Sequence, residues 1–247
     1  MTYCVAAQVN EGLVFASDTR TSAGVDDVRT YNKMHLFETP GERVLIALSA
    51  GNLATTYAIM AQLRREFDDQ SVPVSLRTAR TMYEAAEYLG ATSTRAQKDT
   101  AAQSQFTGVD LRVTLILGGQ IRGDAPALYL IYPEGNFIPS SPETPYLQLG
   151  ENKYGKPILD RIIRAQLSLE DAARCVLVSL DSTMKSNLSV GPPIDLAIVK
   201  RDEHAVAHKL RLDLDTPYFA QLREAWGRHI AEALRSLPKF DWEQAPA

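Results

Sequence analysis

The chain contains little cysteine, no long apolar run and no cluster of basic residues. Its two cysteines, Cys4 and Cys175, are too few for a disulfide framework, which favours a reducing cytoplasmic compartment. No apolar stretch approaches the roughly 20 residues that span a bilayer, so no membrane partner is expected. Nucleic acid is not expected either, because 26 Lys plus Arg stand against 30 Asp plus Glu. With 45% hydrophobic residues, the chain is interpreted as one globular domain over residues 1–247.

Several common functional motifs are also missing. The sequence has no Gly-x-Ser-x-Gly elbow, no phosphate-binding loop, no Cys-x-x-Cys and no His-Glu-x-x-His. His204 and His208 are four residues apart, but in a strand they stand roughly 13 Å apart, at about 3.3 Å per residue. That separation is too large for two ligands of one zinc ion, whose bonds are ~2 Å long. Neither a cofactor nor a metal is therefore expected.

The hydrophobic pattern changes between strand and helix periods in blocks. Alternating residues open the chain, and a helical period begins after the candidate N-cap Asn52. Residues 18–32 and 100–108 are interpreted as loops, and Gly118-Gly119 as a turn. The predicted strands are 3–9, 13–17, 33–37, 44–48, 111–117, 127–132, 146–149, 194–200 and 205–212, and the predicted helices follow Asn52, Ser168 and Pro217 or occupy 76–102 and 158–163. Blocks of antiparallel strands between blocks of helices predict an α+β layered fold.

Two helices have apolar residues at helical spacing, which predicts the face that each one buries. In the helix after Asn52, these residues are Leu53, Tyr57, Met60 and Phe67. In the last helix they are Phe219, Leu222, Trp226, Ile230 and Leu237.

The start of the chain carries a candidate nucleophile. No charged n-region, apolar h-region or cleavage site precedes the first strand, so removal of Met1 would leave Thr2 as the first residue. An N-terminal threonine combines a hydroxyl with an α-amine whose ordinary pKa is about 7.7–8.0. This pairing of a nucleophile with its own activating amine is used in catalysis. On its own, a Met-Thr start is equally compatible with an ordinary terminus.

Three further features accompany Thr2. Asp18 ends the strand that returns beside the first one, and Lys33 opens a strand of otherwise apolar residues. The segment 49–52, Ser-Ala-Gly-Asn, stands where a strand passes into a helix, and backbone N–H groups at such a point can stabilise an oxyanion. Each feature also has a plain structural interpretation: a turn carboxylate, a solvent-facing edge lysine and an ordinary helix N-cap.

Taken together, these residues resemble a known family. Thr2, the run Ser17-Asp18-Thr19-Arg20, Lys33 and Ser49-Ala50-Gly51 are similar to the N-terminal threonine hydrolases of the proteasome β-subunit and HslV superfamily. Within it, the closer resemblance is to the bacterial ancestral β-subunit subfamily, Anbu. The segments that carry this closer resemblance are 1–5, 15–21, 33–35, 180–187 and 190–195.

The resemblance implies a fold and a set of roles. The fold is an αββα sandwich, in which two antiparallel sheets are covered by helices. Thr2 would be the nucleophile, Lys33 would help to remove its proton, and Asp18 would hold Lys33. The Gly51 N–H would form the oxyanion hole, and Asp181 would orient the Thr2 amine. Residues expected in the substrate pocket are Tyr31, His35, Ser49 and Leu53.

The sequence departs from the family pattern at two places. Gly150-Glu151-Asn152 stands where active proteasome subunits carry Gly-Ser-Gly, and Met184 stands where they carry a serine three residues after the second aspartate. Ser182 and Ser186 are candidate substitutes for that serine.

The leading hypothesis is a threonine peptidase or amidase in a self-compartmentalising homo-oligomer, either ring-like or an open helix, that cleaves peptide or amide substrates. The alternatives are an amidohydrolase of a small or isopeptide-type amide and a non-enzymatic structural assembly. An ATP-dependent unfoldase is neither predicted nor excluded.

Overall fold

The computed structural model describes residues 1–22, 28–103 and 108–243, and it contains two five-stranded antiparallel sheets. The first has the strand order β10-β1-β2-β11-β12 and the second β5-β6-β7-β8-β9. A further pair, β3 and β4, lies between β2 and β5 in the chain. The strands are β1 Tyr3–Val9, β2 Gly12–Asp18, β3 Arg20–Ser22, β4 Val28–Thr30, β5 Met34–Thr39, β6 Arg43–Gly51, β7 Val113–Ile121, β8 Ala127–Ile131, β9 Phe137–Pro139, β10 Tyr146–Gly150, β11 Ile194–Lys200 and β12 Val206–Leu212.

Helices cover the outer face of each sheet. They are α1 Leu53–Asp68, α2 Met82–Gln103, α3 Asn152–Ile162, α4 Leu169–Ser186 and α5 Pro217–Arg235, followed by a short 3-10 helix at Asp241–Glu243. Helices α1 and α2 pack on the second sheet, and α3, α4 and the start of α5 pack on the first. The expected αββα sandwich of two antiparallel sheets is therefore confirmed.

Alternation along β1 divides its side chains between two cores. Tyr3 and Val5 point toward the helices of the first sheet, while Cys4 and Ala6 point into the core between the sheets. Both faces of a central strand are thus buried, which explains why the start of the sequence is apolar at nearly every position. Both cysteines are buried, as expected for small hydrophobic side chains.

Two predicted helix starts are confirmed by their capping bonds. The side chains of Asn52 and Ser168 accept hydrogen bonds from the N–H groups of Thr55 and Asp171, each at 3.1 Å.

The buried faces of two helices were predicted correctly only in part, since Met60 and Phe67 of α1 and Phe219 of α5 are buried. Leu53 and Tyr57 are exposed, because α1 turns Ile59 and Leu63 toward the second sheet along with Met60 and Phe67. In α5, Phe219 alone of the five predicted residues is fully buried, and Leu237 lies beyond the end of the helix.

The predicted turn at Gly118-Gly119 is wrong, since both residues lie inside β7. A Cβ on Gly118 would come within 2.6 Å of the Phe15 ring, so the glycine makes room for that ring between the sheets. Gly119 has φ +154°, and a Cβ there would stand 2.0 Å from the Val44 carbonyl oxygen. These glycines are required by close packing against neighbouring strands, which a sequence pattern does not distinguish from a turn.

Several predicted boundaries also change. The interval 18–32 includes β3 and β4 rather than being a loop throughout, and β9 was not predicted. Helix α2 begins at Met82 and continues to Gln103, into the predicted loop 100–108, of which residues 104–107 lie outside the described part.

In the described ranges, no helix has the length and apolar character that a membrane crossing requires.

Candidate active site

A cavity of about 420 Å³ opens where the N-terminus, the end of β6 and the start of α3 meet. It brings together five of the nine predicted site residues or their backbone: Thr2, Lys33, Ser49, Gly51 and Leu53. The other described residues that line it are Met1, Thr21, Asn32, Ala50, Thr56, Gly150 and Glu151.

Thr2 is fixed by its neighbours in the backbone. Its carbonyl oxygen accepts a hydrogen bond from the Glu151 N–H at 2.8 Å, and the next residue, Tyr3, donates its N–H to Asp18 Oδ1 at 3.0 Å. Tyr3 is fully buried and pairs with Gly150 across β1 and β10. Met1, in contrast, is 62% exposed. The site therefore holds Thr2 firmly while the residue before it projects toward solvent.

Asp18 and Lys33 form a buried ion pair beside Thr2. Lys33 Nζ lies 2.7 Å from Asp18 Oδ1 and also donates to the Arg20 carbonyl oxygen at 2.7 Å. The same ammonium lies 3.5 Å from the Met1 carbonyl oxygen, so it reaches the backbone next to Thr2. Asp18 is fully buried, and its Oδ2 accepts the Gly191 N–H at 3.3 Å. Together with the Met1 contact, these bonds use the three N–H donors of the ammonium group and hold it close to the backbone of Thr2.

Burial is the main influence on the Asp18 carboxyl group. Loss of water raises its pKa above the ordinary value of 3.8, and the Lys33 ammonium and the N–H groups of Tyr3 and Gly191 offset part of that rise. The carboxylate therefore depends on these donors for its charge.

Gly51 occupies a position that only glycine fits. Its φ is +126°, and a Cβ there would lie 2.2 Å from the Arg112 carbonyl oxygen. It ends β6 directly before the N-cap of α1. The backbone thus turns from strand to helix at the cavity wall, where the positive end of the helix dipole favours negative charge.

Tyr31 and His35 are not among the described residues that line the cavity. Tyr31 makes a backbone bond to the Thr19 carbonyl oxygen. His35 follows Met34 in β5, so it shares the helix-facing side with Phe37 rather than the side facing the other sheet. Burial, with a contribution from Arg64, lowers the pKa of His35 to about 4. Neither residue is thus among those that the cavity brings together, and for His35 the reason is the alternation of side chains along β5.

Asp181 lies on α4, where its carboxylate accepts a hydrogen bond from Arg223 of α5. It lines a separate cavity between α4 and α5. The segment after α4 reaches the site instead, because Gly191 contacts Asp18 and the Leu188 carbonyl oxygen accepts from Arg20. Asp181 is not among the described residues that line the Thr2 cavity, and Ser186, where α4 ends, is five positions further along the chain.

Glu151 and Gly191 are site residues to which the sequence assigned no role. Glu151 was visible as a departure from the family pattern, and Gly191 stood in one of the segments that carry the resemblance. Ser182 and Ser186 are not among the residues lining the cavity.

Within the described part of the chain, no three His, Cys, Asp or Glu side chains are grouped closely enough to hold a metal ion.

Comparison with known proteins places this geometry in a family. The model of the proteasome subunit family matches residues 2–199. Anbu, the ancestral beta-subunit, from Yersinia bercovieri is 44% identical and has a TM-score of 0.90, over 97% of this chain and 100% of that one. The helical assembly of the Anbu complex from Pseudomonas aeruginosa is 44% identical to this chain and has a TM-score of 0.90, over 97% of this chain and 98% of that one.

A third structure, an Anbu (Gly-1) mutant from Hyphomicrobium sp. strain MC1, is 44% identical with a TM-score of 0.89, over 98% and 100% of the chains. Comparison with curated protein sequences gives no match. The chain belongs to the proteasome subunit family, with its N-terminal nucleophile hydrolase fold, and within that family to the Anbu branch.

Proposed function

We propose that the protein hydrolyses amide bonds with Thr2 as an N-terminal nucleophile. The observation that carries this proposal is the meeting of Thr2, Lys33 and Gly51 at one cavity, with Asp18 holding the lysine at 2.7 Å. A nucleophile, a cation beside it and a glycine backbone at a helix start are the parts that acyl transfer needs.

In the proposed reaction, the Thr2 hydroxyl oxygen attacks the carbonyl carbon of the substrate. The α-amine of Thr2 accepts the hydroxyl proton and passes it to the leaving nitrogen, and water then hydrolyses the resulting ester. Lys33 stabilises the developing alkoxide, and Asp18 keeps that lysine charged and directed. If the Gly51 N–H binds the oxyanion, its contribution is about 3–4 kcal/mol of the barrier.

This mechanism requires that Met1 be removed. While Met1 is attached, the Thr2 nitrogen is part of a peptide bond and has no lone pair available as a base. The exposure of Met1, together with the firm backbone contacts of Thr2, supports cleavage at this bond without rearrangement of β1.

We further propose that the active form is a homo-oligomer acting on peptides. The support is the relative from Pseudomonas aeruginosa, whose structure is a helical assembly. An assembly that encloses its active sites would limit access to extended chains and small peptides.

The test compares four proteins on a panel of peptide and small amide substrates: the Met1-free protein, the Met1-retaining protein, and Thr2→Ala and Thr2→Ser in the Met1-free form. Turnover is expected for the Met1-free protein, weaker turnover for Thr2→Ser, and none for the other two. Equal turnover by Thr2→Ala would refute the proposal. Turnover of small amides with none of any peptide would instead support the amidohydrolase alternative.

A further inference from the structure

Glu151 lines the Thr2 cavity but has no part in the chemistry above. Its side chain is 16% exposed, and its carboxylate pairs with Lys153 at 3.9 Å, a residue whose own side chain is 68% exposed. Because this contact is long and the lysine is solvated, the ion pair contributes little to the free energy of folding. The carboxylate is therefore mostly enclosed yet weakly engaged.

The backbone brings Glu151 to Thr2. Tyr3 pairs with Gly150, and one residue further the Glu151 N–H donates to the Thr2 carbonyl oxygen at 2.8 Å. Gly150 has φ +80°, and a Cβ there would lie 1.8 Å from that oxygen. Only glycine permits this approach, and the turn it makes sets Glu151 beside the nucleophile.

Helix capping does not account for the glutamate. Glu151 is the N-cap of α3, where Ser, Thr, Asp and Asn are preferred, and its side chain makes no capping hydrogen bond. Ser168, at the N-cap of α4, does make one. The Glu151 side chain thus lines the cavity without capping the N–H groups of α3.

The charges around the cavity point to a use for this carboxylate. Among the described residues that line the cavity, Lys33 and Glu151 are those with ionisable side chains. The lining residues from β6, α1 and β3 are uncharged: Ser49 to Gly51, Leu53, Thr56 and Thr21. Asp18 already binds Lys33 and two backbone N–H groups. Loss of Met1 adds an ammonium group here, and Glu151 is the carboxylate left to receive it.

We propose that the Glu151 carboxylate binds the α-ammonium group that Thr2 acquires on loss of Met1, and so acts as a positioning residue for the N-terminal amine. This inference rests on the proposed function for the removal of Met1. An adjacent carboxylate favours the protonated amine, so the amine releases its proton at higher pH than it would beside a neutral side chain.

The test measures the Thr2 amine directly. Met1-free protein, made by cleaving a tag so that Thr2 is first, is acylated at a series of pH values, and labelling of the N-terminal peptide is quantified by mass spectrometry. Glu151→Gln removes the charge and keeps the shape. Glu143→Gln makes the same change in net charge at an exposed loop position away from the cavity.

In Glu151→Gln we expect the apparent pKa of the Thr2 amine to fall by about one unit relative to the unsubstituted protein. In Glu143→Gln it should not move. Glu151→Ser should give the same fall, and because serine is a favoured N-cap, this variant keeps the test available if the glutamine variant fails to fold. An amine pKa unchanged in a folded Glu151 variant would overturn the inference.

Labelling needs no turnover, so the two proposals fail separately. A shifted amine in a protein that hydrolyses no amide would refute the proposed function alone. Amide hydrolysis with an unshifted amine would refute the role of Glu151 alone. If both hold, the acid limb of kcat/KM should move to lower pH in Glu151→Gln by the same amount as the amine pKa.

Discussion

Lys33 Nζ and Asp18 Oδ1 lie 2.7 Å apart, with their side chains 7% and 0% exposed. Removing one partner of such a buried pair leaves the other charge without compensation. The Lys33 ammonium also donates to the Arg20 carbonyl oxygen, so loss of Lys33 leaves a second, partly buried acceptor without this donor. The pair is therefore both a structural element of the N-terminal region and the base of the proposed site.

Replacing this lysine tests both roles. Lys33→Met should lower the free energy of unfolding by about 3–5 kcal/mol at neutral pH, because Asp18 is left charged and buried. Amide turnover should fall by about 10² to 10⁴-fold, a loss typical of a group that assists proton transfer. Chemical denaturation and a substrate assay measure the two effects. A variant as stable as the unsubstituted protein would contradict the burial of the pair.

The stability of the same variant should depend on pH. Without Lys33, the pKa of Asp18 in the folded protein rises further above its ordinary 3.8, which is the value of the unfolded chain. The stability deficit of Lys33→Met should then be small below pH 3.8 and grow as pH rises through the folded pKa. Urea titrations at several pH values measure it. In Lys33→Met with Asp18→Asn, this pH dependence should disappear; its persistence would assign it to another group.

Gly51→Ala tests the turn at the cavity wall. The added Cβ would meet the Arg112 carbonyl oxygen at 2.2 Å, and φ +126° is strained for alanine. Turnover should fall by about 10² to 10³-fold as the oxyanion donors move. The control is Gly227→Ala in α5, where a Cβ meets nothing within 4 Å and a gain of up to about 1 kcal/mol is expected. Full activity in Gly51→Ala would show that the backbone turn at Gly51 does not contribute to the reaction.

His35 gives a prediction that is independent of catalysis. Its pKa is lowered from 6.5 to about 4 in the folded protein, chiefly by burial. The unfolded chain therefore takes up the proton first as pH falls, and stability drops between pH 6.5 and 4 by up to about 3 kcal/mol. His35→Phe should flatten this part of the stability profile, measured by thermal or urea unfolding. The exposed His208→Phe is the control, and a profile equally steep in His35→Phe would contradict the account.

The sequence predicts most of the sheet and the centre of the site. Alternating apolar residues in β1 and β2 predict two paired strands, and Asn52 and Ser168 predict helix starts, because these signals are local. The hairpin of β1 and β2 brings Asp18 back beside Thr2, a placement that needs only the pairing of neighbouring strands. Lys33 stands directly before β5 of the other sheet, so its contact with Asp18 depends on how the two sheets pack.

The remaining positions depend on contacts between distant segments. Gly118 has the local pattern of a turn, but it lies within a strand because Phe15 of the other sheet requires its space. His35 is adjacent in sequence to residues near the site, yet strand alternation turns it to the helix side. Asp181 pairs with Arg223, 42 positions later in the chain, and no local pattern shows that contact.

The measurement that tests the central claim most directly is covalent trapping of the nucleophile. A β-lactone that acylates hydroxyl groups is incubated with Met1-free protein, and the modified peptide is identified by mass spectrometry. The account predicts one adduct on the Thr2 hydroxyl, none in Thr2→Ala, and a strongly reduced yield in Lys33→Met. A Met1-free, folded protein that remains unmodified at Thr2, or that is modified equally in Thr2→Ala, would contradict the claim that Thr2 is the nucleophile.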